Sequence, residues 1–299
     1  MAFAPITLFV YNRPWHTYKT VEALKRNVHA DQSELFVFSD GSKNDAAAIK
    51  VLKVRNYLKR ITGFKKVTII ERNSNFGLAK SIISGVTEVV DSYGKIIVLE
   101  DDLITSPYFL KFMNDGLELY QDSDKVISLG GYMHPLDNLP EIFFLPGTYW
   151  WGWGTWKRGW NLFEPDGSKL LQELKERNLE QKFNMNMAGG CLGMLESQVA
   201  GRNDSWDIRW QAAAFVNNKV SLFPGTSLVY NIGTDGTGIH SGKSSQFYTK
   251  LSKLPISVKD IPVIENSYIL NEIINYLLAK SSIKDKIFRS IVKYYRKYC

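Results

Sequence analysis

Four short apolar blocks punctuate the first hundred residues: "ITLFVY" (6–11), "ELFVFS" (34–39), "KVTII" (66–70) and "KIIVL" (95–99). Each is too short for a helix and each ends in polar residues, the pattern of strands buried on both faces. The intervening segments "WHTYKTVEALKRN", "NDAAAIKVLKVRNYLKRI" and "GLAKSIISGVTEVVDSY" carry their apolar residues at helical spacing. Strands alternating with helices predict an α/β fold: an open, mainly parallel sheet flanked by helices. Ligands of such sheets bind beyond the carboxyl ends of the strands. Asn12-Arg13, Asp40-Gly41, Arg72-Asn73 and Glu100-Asp101-Asp102 all fall there, so one crevice is expected to collect them. Segment 165–200 reads as a helical insertion, and "DIRWQAAAF" (207–215) as the start of another helix.

The chain has 299 residues, 44% of them hydrophobic, enough to bury a sizeable core. No apolar run is long enough to span a bilayer and no cleavable leader is evident, which places the protein in the cytoplasm. The two cysteines, Cys191 and Cys299, are far apart, so neither a disulfide framework nor a zinc site is expected. Of the net charge of +7, six units lie from Lys280 onward, where seven basic residues face only Asp285. Apolar residues recur there at helical spacing, as in a helix lying on an anionic membrane surface; the alternative is a terminal helix docked on the domain. The expected location is therefore peripheral, at the inner face of the cell membrane. No nucleic-acid module interleaves these basic residues, and nucleic acid is not an expected partner.

The candidate chemistry lies in three blocks. In "VLEDDL" (98–103), three acids follow a buried strand, where each raises its neighbours' pKa and a divalent cation relieves the repulsion. Hard oxygen ligands suit Mg²⁺ or Mn²⁺, which keep waters and share a diphosphate. The competing reading is that Asp101 or Asp102 caps a helix beginning near Ser106-Pro107. In "GTYWWGWGTWKRGW" (147–160), five of the eight tryptophans are interleaved with glycines, as in a loop that sets flat aromatic faces beside a ligand. An aromatic packing cluster is the alternative. "NIGTDGTGIHSGKSS" (231–245) is rich in glycine and small polar residues, as a lid over a diphosphate would be. Neither a P-loop nor a GxGxxG follows the first strand.

The order "YNR", "SDGS", "ERNSNFGLAKSI", "VLEDD", "WGWGTW" and "SWDIRW" resembles glycosyltransferases of the GT-A (Rossmann-like) fold that use nucleotide sugars. It is most similar to the inverting N-acetylglucosaminyltransferase I branch and bacterial family-2-like glycosyltransferases, over roughly residues 5 to 245. The resemblance implies a GT-A domain over 1–250, with a nucleotide-binding part to about 105 and an acceptor part over 106–250. A C-terminal extension over 251–299 would follow, carrying the basic amphipathic helix. It also implies that Arg13, Asp40 and Asp101 hold the nucleotide, that Asp102 binds Mn²⁺ or Mg²⁺, and that Glu100 supports the donor sugar. Asp207 matches the family's general base, with Asp204 as competitor and a helix cap as the structural alternative for either. Trp151, Trp153, Trp206 and Arg209 are expected around the donor and acceptor sugars, and His240 and Lys243 in the lid near phosphate.

The function implied is an inverting, metal-dependent transfer from a UDP-sugar, with UDP-N-acetylglucosamine favoured, to a saccharide acceptor. A basic membrane-facing tail suits a lipid-linked acceptor in cell-surface polysaccharide synthesis. Two rivals are a nucleotidyltransferase, which lacks its glycine-rich loop after the first strand here, and a non-catalytic carbohydrate-binding protein on a transferase scaffold.

Overall fold

A computed structural model describes residues 2–185, 190–235 and 247–280. The basic tail beyond Lys280, and His240 and Lys243 of the expected lid, lie outside the described residues. The first half alternates as its apolar blocks predict: β1 (Ile6–Val10), α1 (Pro14–Lys25), β2 (Glu34–Ser39), α2 (Asp45–Leu58), β3 (Lys66–Glu71), α3 (Leu78–Tyr93) and β4 (Lys95–Glu100). Then follow β5 (Leu103–Thr105), α4 (Phe109–Leu119), β6 (Val126–Gly130), β7 (Ile142–Pro146) and β8 (Trp153–Trp156). Helices α5 (Lys157–Trp160), α6 (Gly167–Glu176), α7 (Glu180–Met185), α8 (Cys191–Val199) and α9 (Trp206–Val216) precede β9 (Val220–Pro224), β10 (Val229–Asn231) and α10 (Ser267–Lys280).

Eight strands form one sheet in the order β3-β2-β1-β4-β8-β6-β9-β7. β3, β2, β1 and β4 are mutually parallel, β8 runs antiparallel between β4 and β6, β9 is parallel to β6, and β7 closes the far edge antiparallel to β9. Six of the eight strands therefore point the same way, and the carboxyl ends of β1, β2, β3, β4 and β6 share one edge. β5 and β10 pair separately, Asn231 opposite Leu103, just past the acid triplet. Local signals explain the helix starts. Pro14 opens α1, where a missing N–H costs nothing, and Asn44 and Ser205 cap α2 and α9 with their side chains.

Two apolar layers cover the sheet. Val21 and Leu24 of α1 and Val54 and Leu58 of α2 share one core with Leu8, Leu35 and Phe112. The opposite face joins α3 and α9 through Ile82, Val86, Trp153 and Trp210. Residues 251–280 pack onto the same body. Tyr120 Oη donates to the Lys259 carbonyl (2.8 Å), Ile256 is buried in the first core, and Ile269, Ile273 and Leu277 of α10 cover Phe143 and Phe223. No helix among the described residues is long and apolar enough to cross a membrane.

Candidate functional site

The acid triplet stands at the carboxyl end of β4, facing the residue that starts α1. Arg13 is the N-cap residue of α1, yet its side chain makes no cap bond. One guanidinium nitrogen instead donates to Asp101 Oδ1 and, at 2.9 Å, to Asp102 Oδ2. Burial alone would lower the pKa of Arg13, and the two carboxylates reverse that and raise it, so its charge is permanent. Asp101 is buried at 4% exposure, and its carbonyl accepts from Thr20 Oγ1 at 2.9 Å. Burial pushes its carboxyl up and Arg13 pulls it partly back. Glu100 is half-buried at the last position of β4. Burial first, then Asp102, Asp101 and Asp207, hold its pKa well above the usual carboxylate range. The helix-cap reading of the triplet does not hold: α4 begins at Phe109, and its N-cap residue is Tyr108, with no side-chain cap bond.

The effect of Asp207 on Glu100 brings the second block to the triplet. Asp207 is half-buried in the first turn of α9, where the helix N-terminus favours a negative charge. Its Oδ1 accepts from the backbone N–H of Ile208 at 3.0 Å and from the Ser205 hydroxyl. Asp204, the competing acid, points outward with 73% of its side chain exposed and pairs with Arg209 at 3.0 Å. The sheet explains the meeting: β8 sets Trp153 opposite Val98, two residues before Glu100, and Trp206 at the start of α9 stacks on Trp153 at 5.5 Å.

The described start of the expected lid block, 231–235, supplies a third element of this mouth, through residues that the sequence reading did not single out. The backbone N–H of Ile232 donates to the Asp102 carbonyl at 2.8 Å, and a Cβ on Gly233 would stand 2.1 Å from Asp102 Oδ2. Only glycine lets the chain pass there. Asp235 then pairs with His16 Nε2 of α1 at 3.1 Å. A glycine in the mostly polar run Asn231-Ile232-Gly233-Thr234-Asp235 was the available signal, but it reads equally as loop composition. Thr20, which holds the Asp101 backbone, left no signal at all.

Several expected site residues sit elsewhere. Trp153 and Trp206 were expected at a sugar pocket, but they are 1% and 3% exposed and spend their faces on each other and on Trp160 and Trp210. Arg209 is likewise interior, tying Ser205 and Pro165 carbonyls to Asp204. Glycine in the tryptophan block serves packing: Gly152 adopts φ +63°, and a Cβ on it would meet Val229 at 2.6 Å. Asp40, expected on the nucleotide, is a loop clamp. Its carboxylate accepts from the backbone N–H of Gly41, Phe76 and Gly77 and from Asn75 Nδ2, at 2.8 to 3.0 Å, which fills its lone pairs. Trp151 remains half-buried at the end of β6, edge-on to Tyr132 at 4.8 Å and Phe247 at 5.1 Å.

Among the described residues no three His, Cys, Asp or Glu side chains form a ready-made metal cage. The donor set nevertheless suits a hard cation. Glu100, Asp101, Asp102 and Asp207 act on one another with Arg13 as their cationic partner, leaving an excess of negative charge. Mg²⁺ and Mn²⁺ commonly take one or two carboxylates and complete their shell with water and phosphate. A cavity of about 240 Å³ lined by Arg177, Lys182 and Lys219 lies at the opposite edge, where β9 begins, and is no part of this mouth.

Residues 6–197 match the family described as "Glycosyl transferase family 2". No curated protein matches the chain. Among solved structures, it is similar to the mannosyltransferase PcManGT from Pyrobaculum calidifontis in complex with GDP-Man and Mn²⁺. The identity is 15% and the TM-score 0.33, over 45% of this chain and 37% of that one. TarS from S. aureus in complex with UDP-GlcNAc shares 13% identity, with a TM-score of 0.33 over 46% and 37%. A UDP-glucose pyrophosphorylase complexed with UDP-glucose shares 9%, with a TM-score of 0.38 over 77% and 94%. The chain thus spans little more than a third of the two transferases. At TM-scores below 0.5 these likenesses carry no argument about this chain.

Proposed function

The chain belongs to glycosyl transferase family 2, and from that premise we propose that it is an inverting, divalent-metal-dependent enzyme working from a UDP-sugar. It is a nucleotide-sugar glycosyltransferase of the GT-A type; the stereochemistry, metal, donor and acceptor are our reading. The observation that carries it is the convergence of Asp207, at a helix N-terminus, on the Glu100-Asp101-Asp102 triplet with its single arginine.

Asp102, with the oxygens of the donor diphosphate, would hold Mn²⁺ or Mg²⁺, which supplies charge stabilisation to the departing nucleoside diphosphate. Arg13 adds a fixed positive charge on the same side, and Asp101 anchors Arg13 toward the nucleotide. Glu100, whose burial among acids favours a bound proton, would donate a hydrogen bond to the donor sugar, the role the resemblance implies. Asp207 takes the proton of the acceptor hydroxyl as that oxygen attacks the anomeric carbon from the face opposite the diphosphate. The bond to the diphosphate breaks and the electron pair leaves with it. The field of α9 favours Asp207 as a carboxylate ready for that proton. Trp151 is the remaining aromatic candidate for the sugar's apolar face.

UDP-N-acetylglucosamine is the donor the resemblance favours. A saccharide acceptor, lipid-linked and used in cell-surface polysaccharide, fits the basic C-terminal sequence, which also supports a peripheral place at the inner membrane face. The test is transfer by Asp207→Asn: kcat should fall at least about a thousandfold with donor affinity unchanged, as for loss of a general base. The product of the wild-type enzyme should show inverted anomeric configuration by NMR. Retained configuration, or an active Asp207→Asn, would remove the proposed mechanism.

A further inference from the structure

Helices α1 and α2 lie side by side on one face of the sheet, sharing Val21, Leu24, Val54 and Leu58 in their core. Tyr18 meets Tyr57 edge-on at 5.5 Å across the seam. With Ala47, Val51, Val54 and Leu58 buried, α2 has no packing need for the apolar residues on its other side. Yet Ile49 is 64% and Leu52 59% exposed, and on α1 Trp15 is 56% and Tyr18 47% exposed. These four exposed side chains stand on two neighbouring helices, and exposed apolar residues gathered on one face mark an interaction surface.

The charges around the patch indicate its occupant. Lys19, Arg26, Lys50 and Lys53 are all exposed on these two helices and their ends, and Lys19 stands 5.7 Å from the Trp15 ring centroid. The acids on these helices are Asp45 and Glu22, Glu22 being already paired with Lys25 at 3.0 Å, and beside Trp15 the loop residue Asp235 is paired with His16 at 3.1 Å. Tryptophan, tyrosine and aliphatic side chains ringed by lysine are the composition of a surface that sits in a lipid headgroup layer. A second copy of the chain seated on itself would set these lysines against their equals, which disfavours that occupant.

We infer that the outer face of α1 and α2 docks on an anionic lipid bilayer, with Trp15, Ile49 and Leu52 entering the headgroup region. Both helices begin at the edge of the sheet that carries Arg13 and the acid triplet, so docking brings the mouth to the bilayer surface. This deepens the proposed lipid-linked acceptor and rests on that reading for its purpose, though the surface is defined without it. It shares no residue with the basic tail.

The full-length chain is tested against vesicles of phosphatidylcholine alone and of phosphatidylcholine with phosphatidylglycerol. An environment-sensitive probe is attached at Ile49→Cys in a Cys299→Ser background, the remaining Cys191 being buried. Anionic vesicles should shift the probe emission to the blue, and added salt should reverse it. In the unlabelled chain, Ile49→Ser with Leu52→Ser should lower the vesicle-bound fraction at least about fivefold, removing buried apolar area that drives interfacial binding. Sedimentation with vesicles but no probe response would mean that the tail docks alone, and would overturn the assignment. So would a failure to bind vesicles, or a dimer in solution dispersed by Leu52→Glu. UDP binding without vesicles should be unaffected by the double substitution. Its absence in the wild-type chain would count against the transferase reading and leave this surface standing.

Discussion

Replacing Asp40 by alanine separates a structural carboxylate from a ligand-binding one. Four donors converge on it: the N–H groups of Gly41, Phe76 and Gly77 and the amide of Asn75. Hydrogen bonds to a charged group contribute about 1.5–3 kcal/mol each, and a buried donor left unsatisfied costs about 1–3 kcal/mol. The sum is not additive, because Ser74 and its neighbours lie at the surface and the freed N–H groups of the 73–77 loop regain water. A loss of about 3–4 kcal/mol is therefore expected for Asp40→Ala, at the large end for a single substitution. Asp40→Asn keeps an oxygen for Gly41 and Phe76 but turns an NH₂ toward Asn75 and Gly77, so about 2 kcal/mol is expected. Urea unfolding followed by tryptophan fluorescence measures both. Stability within about 0.5 kcal/mol of wild type, the ordinary scatter for surface changes, together with lost UDP binding, would refute the clamp and return Asp40 to the nucleotide.

Glu100 and Asp101 bind protons more tightly in the folded chain, so with chelator present they make stability fall as pH rises above the ordinary carboxylate range near about 4. Glu100→Gln should flatten that slope in thermal melts, and Mn²⁺ should raise Tm at neutral pH in the wild type more than in the variant. His134 works in the opposite direction. Burial carries its pKa down from 6.5 to about 4, so stability present above pH 6.5 is lost as pH falls toward 4, by about 3 kcal/mol. His134→Phe should remove that acid loss in urea titrations at pH 4.5 and 7. Gly233→Ala forces a methyl group onto Asp102 Oδ2 and should lower kcat at least about tenfold, as for a small misplacement of a reacting group, with little change in the urea midpoint. Cys191, pushed up to about 12 by burial and by Asp207, should resist thiol reagents at pH 8 until the chain unfolds, as read by mass spectrometry.

The parallel half of the sheet was legible because β1, β2 and β4 are largely buried on both faces and so are written as continuous apolar blocks, with the edge strand β3 only half-buried but still apolar at Val67, Ile69 and Ile70. The triplet after β4 stood out for a different reason: three adjacent carboxylates behind a buried strand repel one another unless a cation joins them, whereas a single acid after a strand or at a helix start serves as readily as a clamp or a cap. The insertion of β8 between β4 and β6 was not legible, since pairing Trp153 with Val98 is a contact 55 positions apart that no local pattern encodes. The tryptophans followed from that insertion. Trp153 and Trp156 are three residues apart on one strand, so they face opposite sides of the sheet and fill two different cores. Composition alone gives tryptophan with glycine equal meaning at a sugar face and in a core. Asp40 shows the same limit: "SDGS" reads as a turn, and the loop it holds comes 35 to 37 residues later.

The central claim is that the carboxylates after β4 bind a nucleoside diphosphate through a divalent cation. Isothermal titration of UDP into the wild-type chain and Asp102→Asn, each with Mn²⁺ and with EDTA, tests it most directly. The account predicts binding that weakens at least about tenfold in EDTA, equivalent to roughly 1.4 kcal/mol, and an equal weakening in Asp102→Asn that Mn²⁺ does not restore. Equal affinity in all four titrations would contradict it.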